Sequence, residues 1–344
     1  MNKVYETLFY PFETGQIDQP QESQSVLFMN AALCSGLDLI KSTGLTLQQY
    51  FKPYASLLQE QGYSVSSDIP DKEGLNYILI ATPKNKVETQ YFLAKGLKML
   101  RDQGMLIMAA SNDAGGNRLA GFLGELGIED LGQESKHKAR VVWAKKSSAI
   151  DNNKLNEWIE TGMPQDVLEK RFHSVPGIFG WNKIDKGSEI LVHNLPGDMT
   201  GNGADFGCGY GYLSDHLLQH NPSIESLSCI DADFRSVEAC RKNMDRQEHQ
   251  AKKRYFWEDL TKPVLGLQDL DWIVMNPPFH EGKGSDISIG QSFIKTASLS
   301  LKPGGTLWMV ANAGLAYERM LESDFGMCSK KFEGQGFKVY AAVK

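Results

Sequence analysis

One octapeptide limits what this chain can fold into: Ala204-Asp205-Phe206-Gly207-Cys208-Gly209-Tyr210-Gly211. It closes an apolar stretch and leads into a helical pattern that starts at Tyr212-Leu213-Ser214. A second apolar run, 227–230, ends in Asp231, twenty positions beyond Gly211. That is the layout of a strand, a glycine turn, a helix and a second strand tipped by a carboxylate. Glycines let the backbone approach a nucleoside closely, and the carboxylate can accept from both ribose hydroxyls. Glycine triplets alone also make ordinary turns. The spacing to Asp231 is what makes Gly207, Gly209 and Gly211 candidate cofactor-binding residues.

The rest of the carboxy-terminal half continues the alternation. Strands are expected at 190–205, 227–230, 255–257, 272–275, 306–311 and 337–343. Helices are expected at 213–220, 236–244 and 289–301, with a turn at Lys302-Pro303-Gly304-Gly305. Strands alternating with helices predict a mostly parallel, doubly wound sheet whose ligands lie at the carboxyl ends of the strands. Asp205, the glycines, Asp231 and Asp259 all fall at such ends.

So does Asn276-Pro277-Pro278-Phe279-His280, which follows the apolar run Trp272-Ile273-Val274-Met275. A dinucleotide would suit the glycine turn; this tip favours S-adenosylmethionine and methylation of a planar amine. The amine's lone pair is delocalised, so it is a poor nucleophile. Two acceptors, the Asn276 side-chain oxygen and the Pro277 carbonyl, can bind its two hydrogens and turn the lone pair toward the methyl group. Pro277 has no N–H to compete, Pro278 stiffens the turn, and Phe279 offers a face on which a base can stack. These four are the candidate catalytic residues. Asp205 is expected to face the cofactor's amino group, directly or through water, and Asp259 to accept from the adenine amine. His280 fits a proton acceptor, a phosphate contact or an ordinary loop residue. No cluster with metal-ligand spacing is visible, so no metal is expected.

The amino-terminal half carries a faded copy of this layout. Tyr77-Ile78-Leu79-Ile80-Ala81-Thr82-Pro83-Lys84 aligns with Trp272 onward, and Leu100-Arg101-Asp102-Gln103-Gly104-Met105 aligns with Leu301 onward. The loop 281–286 is expected to accommodate the six-residue difference in spacing. Ala81 stands where Asn276 stands, and no glycine triplet precedes residue 207. The fold expected is α/β, two tandem Rossmann-like methyltransferase domains from an internal duplication, the first degenerate. The domains are expected at 1–165 (RNA binding or stabilising) and 171–344 (cofactor-binding), with the pattern break at Asp151-Asn152-Asn153 as part of the join.

The net charge of −6 argues against a protein that coats nucleic acid, and neither half is basic. Any RNA contact must come from local patches: Lys84 and Lys86, the run from Lys136 to Lys146, or Lys252-Lys253-Arg254. The alternative for each patch is a solvated face. Five cysteines without a Cys-x-x-Cys pair fit a reducing cytoplasm, and no apolar stretch is long enough to span a bilayer. A monomer is expected.

The chain resembles the bacterial ribosomal RNA small-subunit methyltransferase C family of guanine-N2 methyltransferases. The resemblance rests on Pro83-Lys84-Asn85-Lys86, Val175-Pro176-Gly177-Ile178-Phe179, the segments around Gly207 and Asn276, Val310-Ala311-Asn312-Ala313 and Phe337-Lys338-Val339-Tyr340. It implies 16S ribosomal RNA or the small ribosomal subunit as partner, and a first domain that binds no cofactor and helps to hold RNA. The chain departs from the family at Leu315-Ala316-Tyr317, which lacks a proline, at bulky Tyr210, and at Gly180-Trp181. A large-subunit guanine-N2 enzyme shares most of these motifs. A protein glutamine methyltransferase would use the same Asn-Pro-Pro logic on an amide. A non-catalytic RNA-binding assembly factor is the alternative of another class, and the intact Asn276 and glycines speak against it.

Overall fold

The structure, a computed structural model, describes residues 3–278 and 285–344. The chain divides into two compact units, Met1–Met163 and Pro164–Lys344. The first contains strands β1 (Ser25–Met29), β2 (Gly44–Gln48), β3 (Val65–Ser66), β4 (Leu75–Ala81), β5 (Leu100–Ser111), β6 (Gly132–Lys136) and β7 (Ala139–Lys145). Its helices are α1 (Lys3–Glu13), α2 (Lys52–Glu60), α3 (Lys86–Met99), α4 (Leu119–Glu125) and α5 (Asn152–Gly162). The second unit opens with a small hairpin, β8 (Gln165–Val167) and β9 (Phe172–Ser174). Its sheet comprises β10 (Gly201–Phe206), β11 (Ile224–Asp231), β12 (Lys252–Trp257), β13 (Leu270–Met275), β14 (Leu301–Asn312), β15 (Met327–Gly334) and β16 (Phe337–Val343). Its helices are α6 (Lys186–Val192), α7 (Tyr212–His220), α8 (Phe234–Met244), α9 (Ser285–Ser300) and α10 (Glu318–Asp324).

The two sheets share one strand order. The first runs β3-β2-β1-β4-β5-β7-β6 and the second β12-β11-β10-β13-β14-β16-β15. In each, the first five strands pair parallel to one another and the last two pairings are antiparallel. The likeness extends to irregularities. Leu75 faces Leu100 and Tyr77 faces Met105; Leu270 faces Leu301 and Trp272 faces Thr306, so β5 and β14 each throw out a bulge at the same place. Gln103 and Gly304 carry positive φ there, 60° and 80°. Lys146 Nζ donates to the Leu100 carbonyl and Lys344 Nζ to the Leu301 carbonyl, both at 2.6 Å.

The second sheet is covered on both faces, as parallel sheets require. Along β13, Ile273 and Met275 join the core under α9 and α10, whereas Trp272 and Val274 join the core under α6, α7 and α8. The alternation directs position 276 to the α6 side. The strand order reverses between β10 and β13, and that is where a crevice opens in such sheets.

Three expectations need correction. The stretch 190–205 is not one strand: 186–192 is helix α6, started by Asp185, whose carboxylate accepts the Ser188 N–H at 2.9 Å. The strand proper is β10. The break at Asp151-Asn152-Asn153 is a helix start, the Asp151 carboxylate accepting from the Asn153 and Lys154 N–H groups at 3.0 Å. Residues 302–305 are not a simple turn before a strand but the bulge within β14.

Candidate active site at the strand switch point

The glycine loop follows β10. Gly207, Gly209 and Gly211 have φ of 79°, 53° and 93°, where a side chain is strained. The Gly207 and Cys208 N–H groups both donate to the Ile230 carbonyl, at 2.8 and 2.9 Å, which ties the loop to the end of β11. A Cβ on Gly211 would meet Cys240 Sγ at 2.9 Å, so this glycine lets α7 pack closely on α8. A Cβ on Gly209 would meet nothing within 4 Å. The loop thus presents bare backbone outward.

Asp231 ends β11 half-buried. One carboxylate oxygen accepts the Gly209 N–H at 2.9 Å and the other the Asp233 N–H at 2.8 Å. Each oxygen keeps lone pairs for a further donor. Burial pushes its pKa up to about 6 despite those donors. Asp205 is wholly buried. One oxygen accepts from the Ser214 hydroxyl at 2.7 Å; the other has no partner. Burial pushes its pKa up to about 7, with the Ser214 bond pulling the other way. A carboxylate with no exposed surface cannot touch a ligand's amino group, so of the two contacts expected from the sequence, direct or through water, only the second is compatible with this burial. Asp259 folds onto its own turn, one oxygen accepting from the Thr261 N–H and hydroxyl at 2.9 and 2.6 Å. It does not line the cleft described next.

Asn276 directly follows β13, beside the glycine loop: a Cβ built on Gly207 would come 4.0 Å from the Asn276 main-chain oxygen. The cleft between them is lined by Gly207, Gly209, Asn276, Asp185, Ser188 and the exposed Phe179, among others. The Asn276 amide nitrogen donates to Asp185 Oδ2 at 2.8 Å and Ser188 Oγ at 2.9 Å. Its oxygen is buried with no partner. Such an orphan carries a cost that a bound N–H donor would remove. Pro277 is buried and Pro278 exposed. Phe279 and His280 lie outside the described residues. Among the described residues no group of three or more His, Cys, Asp or Glu side chains could hold a metal ion.

The sequence reading missed the residues that brace this cleft. Tyr210 does not crowd the loop. It turns into a core with Phe172, Val175 and Ile178 and donates to the Lys183 carbonyl at 3.2 Å. Asn243 on α8 accepts the His173 N–H at 2.6 Å and donates to the Tyr210 and His173 carbonyls at 2.7 and 2.8 Å. The one sequence signal for Asp185 was its type, a capping residue shortly before the apolar run Ile190-Leu191-Val192.

The same positions in the first unit are filled differently. Asn30, φ 55°, ends β1 and Ala31 donates to the Gln48 carbonyl at 2.9 Å, as Gly207 ends β10 and Cys208 donates to Ile230. Gln49 stands in the place of Asp231, but its amide donates to the Ala31 carbonyl at 2.6 Å and closes on the loop. Phe28 stands at the register position that Asp205 has in the second sheet and packs edge-on against Phe9. Several cations expected to bind RNA are engaged internally. Lys136 pairs with Glu13 and lies over the Tyr10 ring. Lys146 holds the β5 bulge, and Lys253 donates to the Met244 and Gln247 carbonyls.

Residues 169–341 match the methyltransferase small domain family. The chain is 29% identical over 321 residues to the ribosomal RNA small subunit methyltransferase C of Shewanella pealeana, covering 92% of this chain and 90% of that one. It is 28% identical over 300 residues to its counterpart in Acinetobacter baylyi, covering 86% and 85%. Among solved structures, a T. thermophilus 16S rRNA N2 methyltransferase in complex with AdoMet and guanosine superposes with a TM-score of 0.81 at 21% identity. That match covers 100% of this chain and 92% of the other. This likeness establishes the fold over the whole chain.

Proposed function

The chain belongs to the methyltransferase small domain family, and on that premise we propose that it methylates the exocyclic N2 amine of a guanine in 16S ribosomal RNA, with S-adenosylmethionine as donor. The names borne by its relatives supply the substrate class. The observation that carries the chemistry is the unpartnered, buried amide oxygen of Asn276 at the switch point. The donor supplies an electrophilic methyl group on a sulfonium. Bare backbone at Gly209 and the lone pairs left on Asp231 fit its nucleoside part. Asn276 Oδ1 and the Pro277 carbonyl would accept the amine's two hydrogens, aim its lone pair and take up positive charge as the bond to carbon forms. Phe279 remains our candidate for stacking on the base, and a ribosomal substrate implies work in the cytoplasm.

We read the two units as copies of one ancestral domain, supported by the shared strand order and the matching bulges. In this reading the first copy no longer binds cofactor, because Gln49, Phe28 and Ala81 stand where Asp231, Asp205 and Asn276 serve the second. It contributes RNA contacts through the exposed Lys84, Lys86, Lys138 and Lys145. The test is mass mapping of methylated guanines in ribosomal RNA from cells with and without the protein. Loss of one N2-methylguanine from 16S RNA is expected. An unchanged 16S pattern, or a loss confined to 23S RNA, would overturn the assignment.

A further inference from the structure

The Asn276 side chain is useful to an amine only in one of its two orientations. A primary amide is nearly symmetric in shape, and a half-turn about its last bond exchanges oxygen for NH2. Turned the wrong way, it would point two donors at a substrate that itself brings donors. Something in the site must choose.

We propose that Asp185 is a positioning residue that fixes the Asn276 amide with its oxygen toward the substrate. This rests on the function proposed above and deepens it. A carboxylate offers only lone pairs, so the group 2.8 Å from Asp185 Oδ2 has to be the amide nitrogen. The reversed amide would set oxygen against oxygen. Ser188 Oγ, 2.9 Å away, takes up the same NH2. Both NH2 hydrogens are thereby engaged on the α6 side, and the oxygen is left buried and unpartnered on the other.

Asp185 is itself held. The same Oδ2 accepts the Ser188 N–H at 2.9 Å as the cap of α6, so its position is set by the helix start rather than by a mobile side chain. Gly187 leaves no slack: a Cβ there would come 3.1 Å from Asp185 Oδ2 and 3.4 Å from the Asn276 amide nitrogen. The parity of β13, which turns Trp272 and Val274 toward the core that Ile190 and Leu191 share, delivers Asn276 to this cap.

The experiment uses the full-length protein with two substitutions that cap a helix equally well. Asp185→Asn keeps an oxygen in the place of Oδ2, because the Ser188 N–H selects it; that oxygen can still accept from Asn276. Asp185→Ser keeps the cap, but its short hydroxyl does not reach Asn276. We expect Asp185→Ser to lower kcat about tenfold or more. KM for RNA, S-adenosylmethionine affinity and Tm should stay close to wild type, and Asp185→Asn should retain most activity. If both variants keep wild-type kcat, Asp185 is only a cap. If both lose activity equally, its charge matters and not the orientation it imposes. Either result overturns the proposal. Should Asp185→Ser melt early, Asp185→Gly is the second variant, since glycine is tolerated at a cap and removes the acceptor altogether: a lower kcat at unchanged cofactor affinity supports the proposal, and an unchanged kcat overturns it. Wild-type protein that makes no N2-methylguanine would instead defeat the functional reading itself.

Discussion

Three side chains at the switch point hold acceptor capacity that the protein alone does not use up: Asn276 through its buried oxygen, Asp205 through one carboxylate oxygen, and Asp231 through the lone pairs its two N–H donors leave. The consequences differ residue by residue. Removing the Asn276 amide takes away a preorganised acceptor without disturbing the glycine loop. Asn276→Ala should therefore bind cofactor nearly as well as wild type while single-turnover methylation falls on the order of a hundredfold; a wild-type rate would remove Asn276 from the chemistry. Asp231→Ala should weaken S-adenosylmethionine binding by roughly 1.5–3 kcal/mol, about one to two decades, read by calorimetry. Because burial raises the Asp231 pKa to about 6, cofactor affinity in wild type should also decline as pH falls through 6, and the Ala variant should lack that decline. Asp205 acts on stability. Its folded pKa of about 7 lies above the ordinary 3.8, so its contribution is fully present below pH 3.8 and is lost as pH rises through 7. Compared with Asp205→Asn in denaturant unfolding, wild type should lose on the order of a few kcal/mol between pH 5 and pH 8. Parallel curves would mean that Asp205 is ionised throughout.

Among the elements, the bulges in β5 and β14 make the clearest demand on sequence. A Cβ on Gly305 would lie 2.8 Å from the Leu270 carbonyl oxygen, and one on Gly104 would lie 2.9 Å from that of Arg101. Backbone atoms cannot step aside, so Gly104→Ala and Gly305→Ala should each destabilise by about 2 kcal/mol or more, measured as a lowered denaturant midpoint. Gly305 does not line the cleft, and cofactor affinity of the folded Gly305→Ala protein should be unchanged. The bulges also show how far the sequence could be read. The repeat Leu100-Arg101-Asp102-Gln103-Gly104 against Leu301-Lys302-Pro303-Gly304-Gly305 was visible, but not that each sits inside a strand, because only partner strands define register. Long apolar strands such as β13 and amphipathic helices such as α8 announce themselves. Helix α6 is only seven residues long, too short to set up a helical period, and its apolar end Ile190-Leu191-Val192 reads as the start of the strand after it. Strand β15 is polar and exposed along an edge and carries no strand pattern. Asp231 and Asn276 were legible because they stand at strand ends, whereas Asp185 meets the Asn276 amide, and Asn243 the Tyr210 and His173 carbonyls, only once the chain has folded.

For the molecule as a whole, charge sets the problem. A chain with net charge −6 must bind a polyanion through a few local cations. Lys136, Lys146 and Lys253 are spent on internal carbonyls, carboxylates or rings, which leaves a small set for RNA. Affinity should then fall with salt, by at least about tenfold between about 50 and about 200 mM. Lys84→Glu with Lys86→Glu should weaken RNA binding while leaving S-adenosylmethionine affinity untouched; binding insensitive to both would assign the first unit a purely supporting role. The central claim is the identity of the methylated atom. Purified full-length protein should be incubated with labelled S-adenosylmethionine and, separately, small-subunit and large-subunit ribosomal RNA or particles, and the RNA digested to nucleosides for mass spectrometry. The account predicts label in N2-methylguanosine from the small-subunit substrate alone. Label on another guanine atom, or label confined to large-subunit RNA, would contradict it.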